Sequence, residues 1–436
     1  MDSLSPIHHT FAPLADGRQR LRALAGLAQP WRWHEGPARW ELEAEIGTFF
    51  GGDAIGFGTG REALLALLRA LRLRTGEEVI VQGYTCVVVP NAIAAAGGTA
   101  IYVDIDPATL NLDPDDVRRA ITPRTRAIIC QHTFGIPADT ESLRAICDEH
   151  QLALIEDCAH ILPDDSGPTE VGTKGDFLLL SFGRDKAISG VSGGMVVSRH
   201  KSLSQNLRTQ QAAARPVPGA LVAKLLLYPL IYSLAKPFYV KGGKALLAGA
   251  ARLGLLPKIV SDEEKEGLMP PSVSPLPNAL ATLALDQWRR RQQLNDHRRM
   301  LASLWIRHGR DHGLFGTGRP DDPLPRGVRE GLPLQKLPLF ILDAQGLRTI
   351  LKQQNVHLDD GWTGCVVCPA SVHIEAAGYE WGKDPEAERL CKQILSLPTH
   401  PSTTPAQADR LLTILAPLLM HTHTDAPVAA PAPPAA

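Results

Sequence analysis

The chain has 436 residues, 44% hydrophobic and 21% charged, with a formal net charge of −1. This is an ordinary composition for a soluble globular protein of two or three domains, and it carries no global positive field that would argue for nucleic acid. Seven cysteines, at 86, 130, 147, 158, 365, 368 and 391, form an odd and scattered set. They fit reduced thiols in a cytosolic protein better than a disulfide framework.

The opening "MDSLSPIHHTFAPLADG" shows no charged region followed by an apolar core, so no signal peptide is expected, and residues 1–45 read as an N-terminal arm and helix. From residue 46 short apolar runs alternate with helical patterns. "AIGFGTG" leads into the helix "REALLALLRALRL"; "EEVIVQG" is a strand, "VVVPNAIAAAG" a helix and "TAIYVDID" a strand. "PDDVRRAI" and "TESLRAICDEH" are helices around the strand "TRAIICQHT", and "LALIEDCAH", "DFLLLSF" and "GGMVVS" are further strands. Continuous apolar strands separated by helices predict a mostly parallel sheet covered on both faces, here over 46–200.

Residues 201–272 break that rhythm. After them "PNALATLALDQWRRRQQLNDHRRMLASLW" (277–305) predicts one long amphipathic helix. "KLPLFIL", "AQGLRTILKQQ" and "PAQADRLLTILAPLL" then form a smaller α+β unit, giving a domain over 273–420. The Pro/Ala-rich end, 421–436, is expected to be a disordered tail. "GCVVCP" holds a CxxC pair, but neither a second pair nor histidines at ligand spacing follow it, so no metal site is expected.

Four features of the large domain carry chemistry. Asp157 ends the strand in "IEDCAH", where a buried carboxylate demands a cationic partner. Lys186 follows the strand "LLLSF", a position in which desolvation or neighbouring cations can make an amine nucleophilic. "GTGREALLAL" places glycines and a threonine at a helix start, where free N–H groups bind phosphate. Ser181, five residues before Lys186, can turn its hydroxyl to the same pocket. A lysine for an aldehyde, a carboxylate for a ring nitrogen and a phosphate cradle together suit pyridoxal 5′-phosphate.

On these residues the chain resembles the DegT/DnrJ/EryC1/StrS family of sugar aminotransferases, within the fold-type I pyridoxal-phosphate enzymes. The resemblance runs from about residue 36 to 415 through "TGREAL", "EEVIVQGYT", "IYVDIDPATLNLDP", "ITPRTRAIICQHTFGIPAD", "LIEDCAH", "SFGRDKAISGVSGGMVV" and "LSLPTHPSTT". It implies that Lys186 binds the cofactor's aldehyde and shuttles the proton, and that Asp157 keeps the pyridine nitrogen protonated. It further implies that Ser181 and the amides of Gly60 and Arg61 hold the phosphate, and that His160 lies beside the 3′ oxygen. Cys86 stands where the family often carries an aromatic residue against the ring. "SVSPLP" (272–277) stands where the family carries an "NYRM"-type stretch that reaches the partner subunit's cofactor.

The expected activity is therefore transfer of an amino group, from glutamate, to a nucleotide-linked keto-deoxy-hexose destined for a surface polysaccharide or glycan. The expected site lies at a homodimer interface. The alternatives are a sugar dehydratase of the same family, against which Lys186 argues because those members carry histidine there, and a non-catalytic membrane-surface partner that kept the fold. No G-x-G-x-x-G opens the first helix, which sets aside a nicotinamide dehydrogenase.

The resemblance does not explain residues 201–272. From Lys186 through Ser261 there is no Asp or Glu, against eleven Lys and Arg. Inside this region "LLLYPLIYSLA" (225–235) lies between Lys224 and Lys236. Eleven apolar residues around a proline are too few to span a bilayer. The expectation is a helix lying on an anionic leaflet, with the protein cytoplasmic and peripheral on the inner face of the membrane.

Overall fold

The computed structural model describes residues 5–9 and 12–424. Its centre is a sheet of seven strands: β1 (Asp53–Phe57), β2 (Glu78–Gln82), β3 (Thr99–Val103), β4 (Thr125–Gln131), β5 (Ala153–Asp157), β6 (Phe177–Ser181) and β7 (Gly194–Ser198). They lie in the order β1-β7-β6-β5-β4-β2-β3, all parallel except β7, which runs against both β1 and β6. The expected α/β class with a mostly parallel seven-stranded sheet is thus the observed one.

Alternate side chains of these strands enter two cores. Ala54, Leu178, Leu180, Met195 and Val197 pack under helices α1 (Gly17–Leu27) and α2 (Pro37–Phe50). Ile55, Val79, Ile129, Ile155, Leu179 and Val196 pack under α3 (Gly60–Ala70) and α4 (Val88–Ala95). Burial on both faces explains why the strands read as unbroken apolar runs rather than as alternating ones. Helices α5 (Pro114–Ala120) and α6 (Thr140–His150) complete the cover.

Beyond β7 come α7 (Lys201–Ala213), α8 (Gly219–Ala235) and α9 (Lys244–Arg252), the last two separated by a tight irregular turn over 236–243. Where one helix was expected over 277–305 there are two, α10 (Asn278–Arg289) and α11 (Arg291–Asp311). Arg290 lies between them with non-helical backbone angles, φ −106° and ψ 12°. Its guanidinium donates to Asp286 at 2.7 Å and to Asp16 at 2.7 Å. The break therefore serves a contact with the N-terminal arm, 274 residues away in sequence.

The small domain pairs β8 (Lys336–Phe340) with β9 (Ile394–Pro398), antiparallel, against α11, α12 (Ala344–Gln353) and α13 (Pro405–Thr424). The N-terminal arm reaches this domain too, with Ile7 and His8 pairing in parallel with Val356 and His357. Of the tail expected over 421–436, residues 421–424 continue α13 to Thr424, and residues 425–436 lie outside the described residues.

β7 and the start of α3 approach each other backbone to backbone. A Cβ built on Gly194 would lie 2.4 Å from the Gly60 Cα, with backbone rather than a flexible side chain in the way. Gly194→Ala is expected to lower the stability of the chain by about 1–3 kcal/mol through forced backbone shifts, read from its urea midpoint.

Candidate active site

Parallel strands end at one edge of their sheet, and loops leaving that edge can converge on one place. Asp157 closes β5 and is 5% exposed. Among the described residues its carboxylate receives one hydrogen bond, from the Ala159 N–H at 2.9 Å. Burial pushes its pKa up, opposed by that bond and by the positive charges of Lys186 and His132. A buried, raised, thinly satisfied carboxylate is a site prepared to accept a hydrogen bond from a cationic donor.

Lys186 sits in the loop after β6, half-buried, with Nζ 3.3 Å from His160 Nε2. The Phe134 N–H donates to His160 Nδ1 at 3.2 Å. The ring proton is thereby assigned to Nε2, which faces the lysine. His160 is buried against Phe134, stacked at 12°, and against Trp362, edge-on at 4.9 Å. Burial, Lys186 and Lys336 together hold its pKa well below the ordinary histidine value, so the ring stays neutral.

Helix α3 opens at the same edge. Thr59 caps it by accepting the Glu62 N–H at 3.1 Å. The amides of Gly60 and Arg61 are the first two of the helix and have no carbonyl partner within it. A Cβ on Gly60 would come within 3.0 Å of Ser181 Oγ, and one on Gly183 within 3.7 Å of the same atom. A side chain at Gly60 would therefore crowd the helix start against Ser181. The Arg61 side chain is turned away, paired with Glu264 and bound to the Ile259 carbonyl. Its contribution to an anion is its amide.

Cys86 is half-buried and pairs in register with Cys368. Burial raises its thiol pKa, with Lys186 the main opposing charge, so it is a neutral, soft wall of the site. Cys365 and Cys368 are buried free thiols with sulfurs 3.4 Å apart. The segment 272–277 folds onto the end of β1: Gly58 N–H donates to the Ser274 carbonyl at 2.8 Å, and Phe57 bridges to Pro275.

The structure thus brings Lys186, His160, Asp157 and Cys86 together and places Ser181 against the Gly60 helix start. Several side chains of the site were not singled out in the sequence. Lys336, at the start of β8, is 3% exposed and pairs with Asp360 at 3.0 Å. It lies 5.0 Å from the Phe134 ring centre. Against the upward push of burial, Lys336 and His9 hold the Asp360 carboxyl down at about 2. Arg298, His9 and His400 line the same cavity as Lys186. Arg298 is held by the Ala187 carbonyl at 2.6 Å and by Asn295 Oδ1 at 2.9 Å, and burial lowers its pKa to about 10. A lysine opening the apolar run "KLPLF" is the signal that could have drawn attention to Lys336.

Glu62 was missed as well. It accepts the Ser274 N–H at 2.6 Å, and burial raises its pKa to about 7. His132, Glu156 and Cys158 form a buried cluster with metal-binding atom types. However, His132 Nδ1 accepts the Ala138 N–H, and Glu156 accepts N–H groups from Gly172, Lys174 and Gly175 as well as facing His132 Nε2. Those lone pairs are committed, and the cluster fastens the loop after β5.

Compared with solved structures, the chain shares its fold with pyridoxal-phosphate-dependent aminotransferases. Bacillus subtilis NtdA, solved with its cofactor PMP bound, superposes with a TM-score of 0.69 over 95% of this chain and 84% of its own, at 21% identity. Residues 15–218 match the DegT/DnrJ/EryC1/StrS aminotransferase family. Among curated relatives, a UDP-N-acetyl-3-dehydro-α-D-glucosamine 3-aminotransferase from Acidithiobacillus ferrooxidans is 34% identical over 45% of this chain and 54% of its own length. A GDP-perosamine synthase from Vibrio cholerae is 34% identical over 43% of this chain and 52% of its own. The chain spans about half the length of the curated relatives it matches.

Two outcomes follow from the buried charges. Asp360→Asn leaves Lys336 without its counter-charge and is expected to cost about 3–5 kcal/mol of unfolding free energy, whereas Lys336→Met with Asp360→Leu costs far less. Glu62 binds its proton more tightly folded than unfolded, so its contribution to stability is full below pH 4.5 and is lost as pH rises through about 7. Glu62→Gln is expected to remove that loss, on the order of 3 kcal/mol, in unfolding curves compared at pH 5 and pH 8.

Proposed function

We propose that the chain is a pyridoxal-phosphate-dependent sugar aminotransferase. It moves an amino group from glutamate to the ketone of a nucleotide-linked sugar used in surface polysaccharide synthesis, working as a cytoplasmic homodimer at the inner face of the membrane. The observation that carries the reading is the meeting of a lysine, a neutral histidine, a buried carboxylate and an open helix start at one sheet edge. The nucleotide-linked sugars in the names of both curated relatives support the acceptor class.

The residues fit the cofactor. Asp157 offers the buried acceptor that a protonated ring nitrogen requires, and His160 presents an N–H suited to a ring oxygen. Ser181 Oγ with the Gly60 and Arg61 amides provides donors for a phosphate. Pyridoxal phosphate, when bound, supplies an aldehyde for the lysine and an electron-withdrawing ring.

The chain's own groups do the rest. Lys186 Nζ would hold the cofactor's aldehyde and, freed by the donor's amine, would be the base that takes the proton from the donor's Cα and, in the second half of the exchange, the acid that supplies a proton to the acceptor carbon. His160 Nε2, 3.3 Å from Nζ, packs beside the lysine and positions it. Asp157 in its charged form favours electron flow into the ring. The walls of Phe134, Trp362 and Cys86 exclude water from the proton transfer.

The purified chain is expected to take up pyridoxal phosphate with a visible absorbance that glutamate bleaches. Borohydride added before any glutamate should fix the cofactor's mass on the peptide holding Lys186. Lys186→Ala should lose that mass and slow turnover by about 10²–10⁴-fold or more. A colourless wild-type chain that takes up no cofactor would sink the reading.

A further inference from the structure

The acid-free stretch that the family does not explain has a definite shape. Helix α8 turns Val222, Leu225, Leu226 and Tyr228 into the large domain's core. Gly26 of α1 meets Leu226, since a Cβ there would lie 3.3 Å from its Cδ1. The other side of the hairpin is open. Leu234 is 65% exposed, Phe238 62%, Val240 64% and Leu253 77%, and Lys241, Lys244 and Arg252 are exposed among them. Helix α1, packed on α8, adds Leu21 and Leu24, 69% and 52% exposed.

By length and composition Gly219–Arg252 could cross a membrane. Its folding rules that out. The 17 residues of α8 bury one side in protein, and the chain breaks over 236–243, where Gly242 takes φ +138°. An apolar surface studded with cations and fixed to a globular domain lies on a bilayer rather than through it.

We propose that the hairpin 219–253, with the outer side of α1, docks this protein on an anionic phospholipid bilayer. A second copy of the chain is the competing occupant, and charge decides against it. A two-fold interface sets a face against itself, and this face would set Lys241, Lys244 and Arg252 against their own copies with no acid anywhere in residues 186–261 to compensate. Anionic headgroups supply the missing charge.

The placement also bears on the substrate, a step that rests on the aminotransferase reading. Tyr232, Ser233 and Lys236 at the end of α8 wall a cavity with Ala12 and Ala15, while Pro13 and Leu14 line the cavity at Lys186. Lys186 is therefore one thickness of the N-terminal arm from the docking surface, which suits a nucleotide-sugar acceptor whose product is passed on at the membrane.

The test is flotation of the full chain with vesicles of phosphatidylcholine alone or mixed with phosphatidylglycerol. The expected result is binding to the mixed vesicles only, weakened by added salt. A K241E/K244E/R252E variant should lose affinity on the order of a hundredfold. A F238S/V240S/L253S variant should lose binding too, both with unchanged unfolding midpoints and unchanged cofactor absorbance. Wild-type chain that stays unbound at low salt overturns the proposal, as does binding indifferent to both variants. Variants that split a wild-type dimer into monomers in sedimentation would assign the face to a second copy instead. Vesicle binding with no cofactor uptake would leave the docking surface standing and remove the aminotransferase reading.

Discussion

The site depends on strand direction. Because β1, β5 and β6 run parallel, their C-terminal ends reach the same edge, and the groups that follow each strand meet there. β1 delivers the start of α3, β5 delivers Asp157 and His160, and β6 delivers Ser181 and Lys186. β7 runs the other way and inserts between β1 and β6, so its glycine Gly194 begins at that edge and is pressed against Gly60. One antiparallel strand thus sets the spacing between the helix start and the lysine loop.

Around that edge the protein buries charge without neutralising all of it. Lys336 and Asp360 compensate each other, whereas Asp157 and Arg298 are held chiefly by backbone groups and an amide side chain. A carboxylate and a guanidinium in that condition are costly unless a ligand completes them. His160 absorbs the local excess of positive charge by staying neutral between Lys186 and Lys336. Its tautomer follows from a backbone N–H on Phe134, a residue that itself takes a left-handed conformation at φ 55°.

Much of this was legible in the sequence because it is local. The seven strands and the α3 start follow from runs and spacings within ten residues or so. Lys186 and Asp157 stood out because an ordered series of motifs surrounds them. Lys336, Asp360 and Glu62 were not legible, because each acquires its meaning from a partner elsewhere in the fold. Arg290 shows the same limit: the helical period runs unbroken through it, and its contact with Asp16 of the N-terminal arm exists only in the fold. Ser274 likewise could not be placed against β1 from "SVSPLP" alone, since Glu62 and Gly58 supply the contacts.

The segment between β7 and α10 might be taken for an accessory that the large domain could do without. Arg184 contradicts that. Two residues from Lys186, it lays its guanidinium 4.2 Å from the centre of the Tyr228 ring on α8 and donates to the Pro257 carbonyl at 2.7 Å. Cutting out the hairpin would leave Arg184, beside Lys186, without its aromatic cover. The insertion is therefore not a detachable module: a chimera lacking it would uncover Arg184 and with it the loop that holds Lys186.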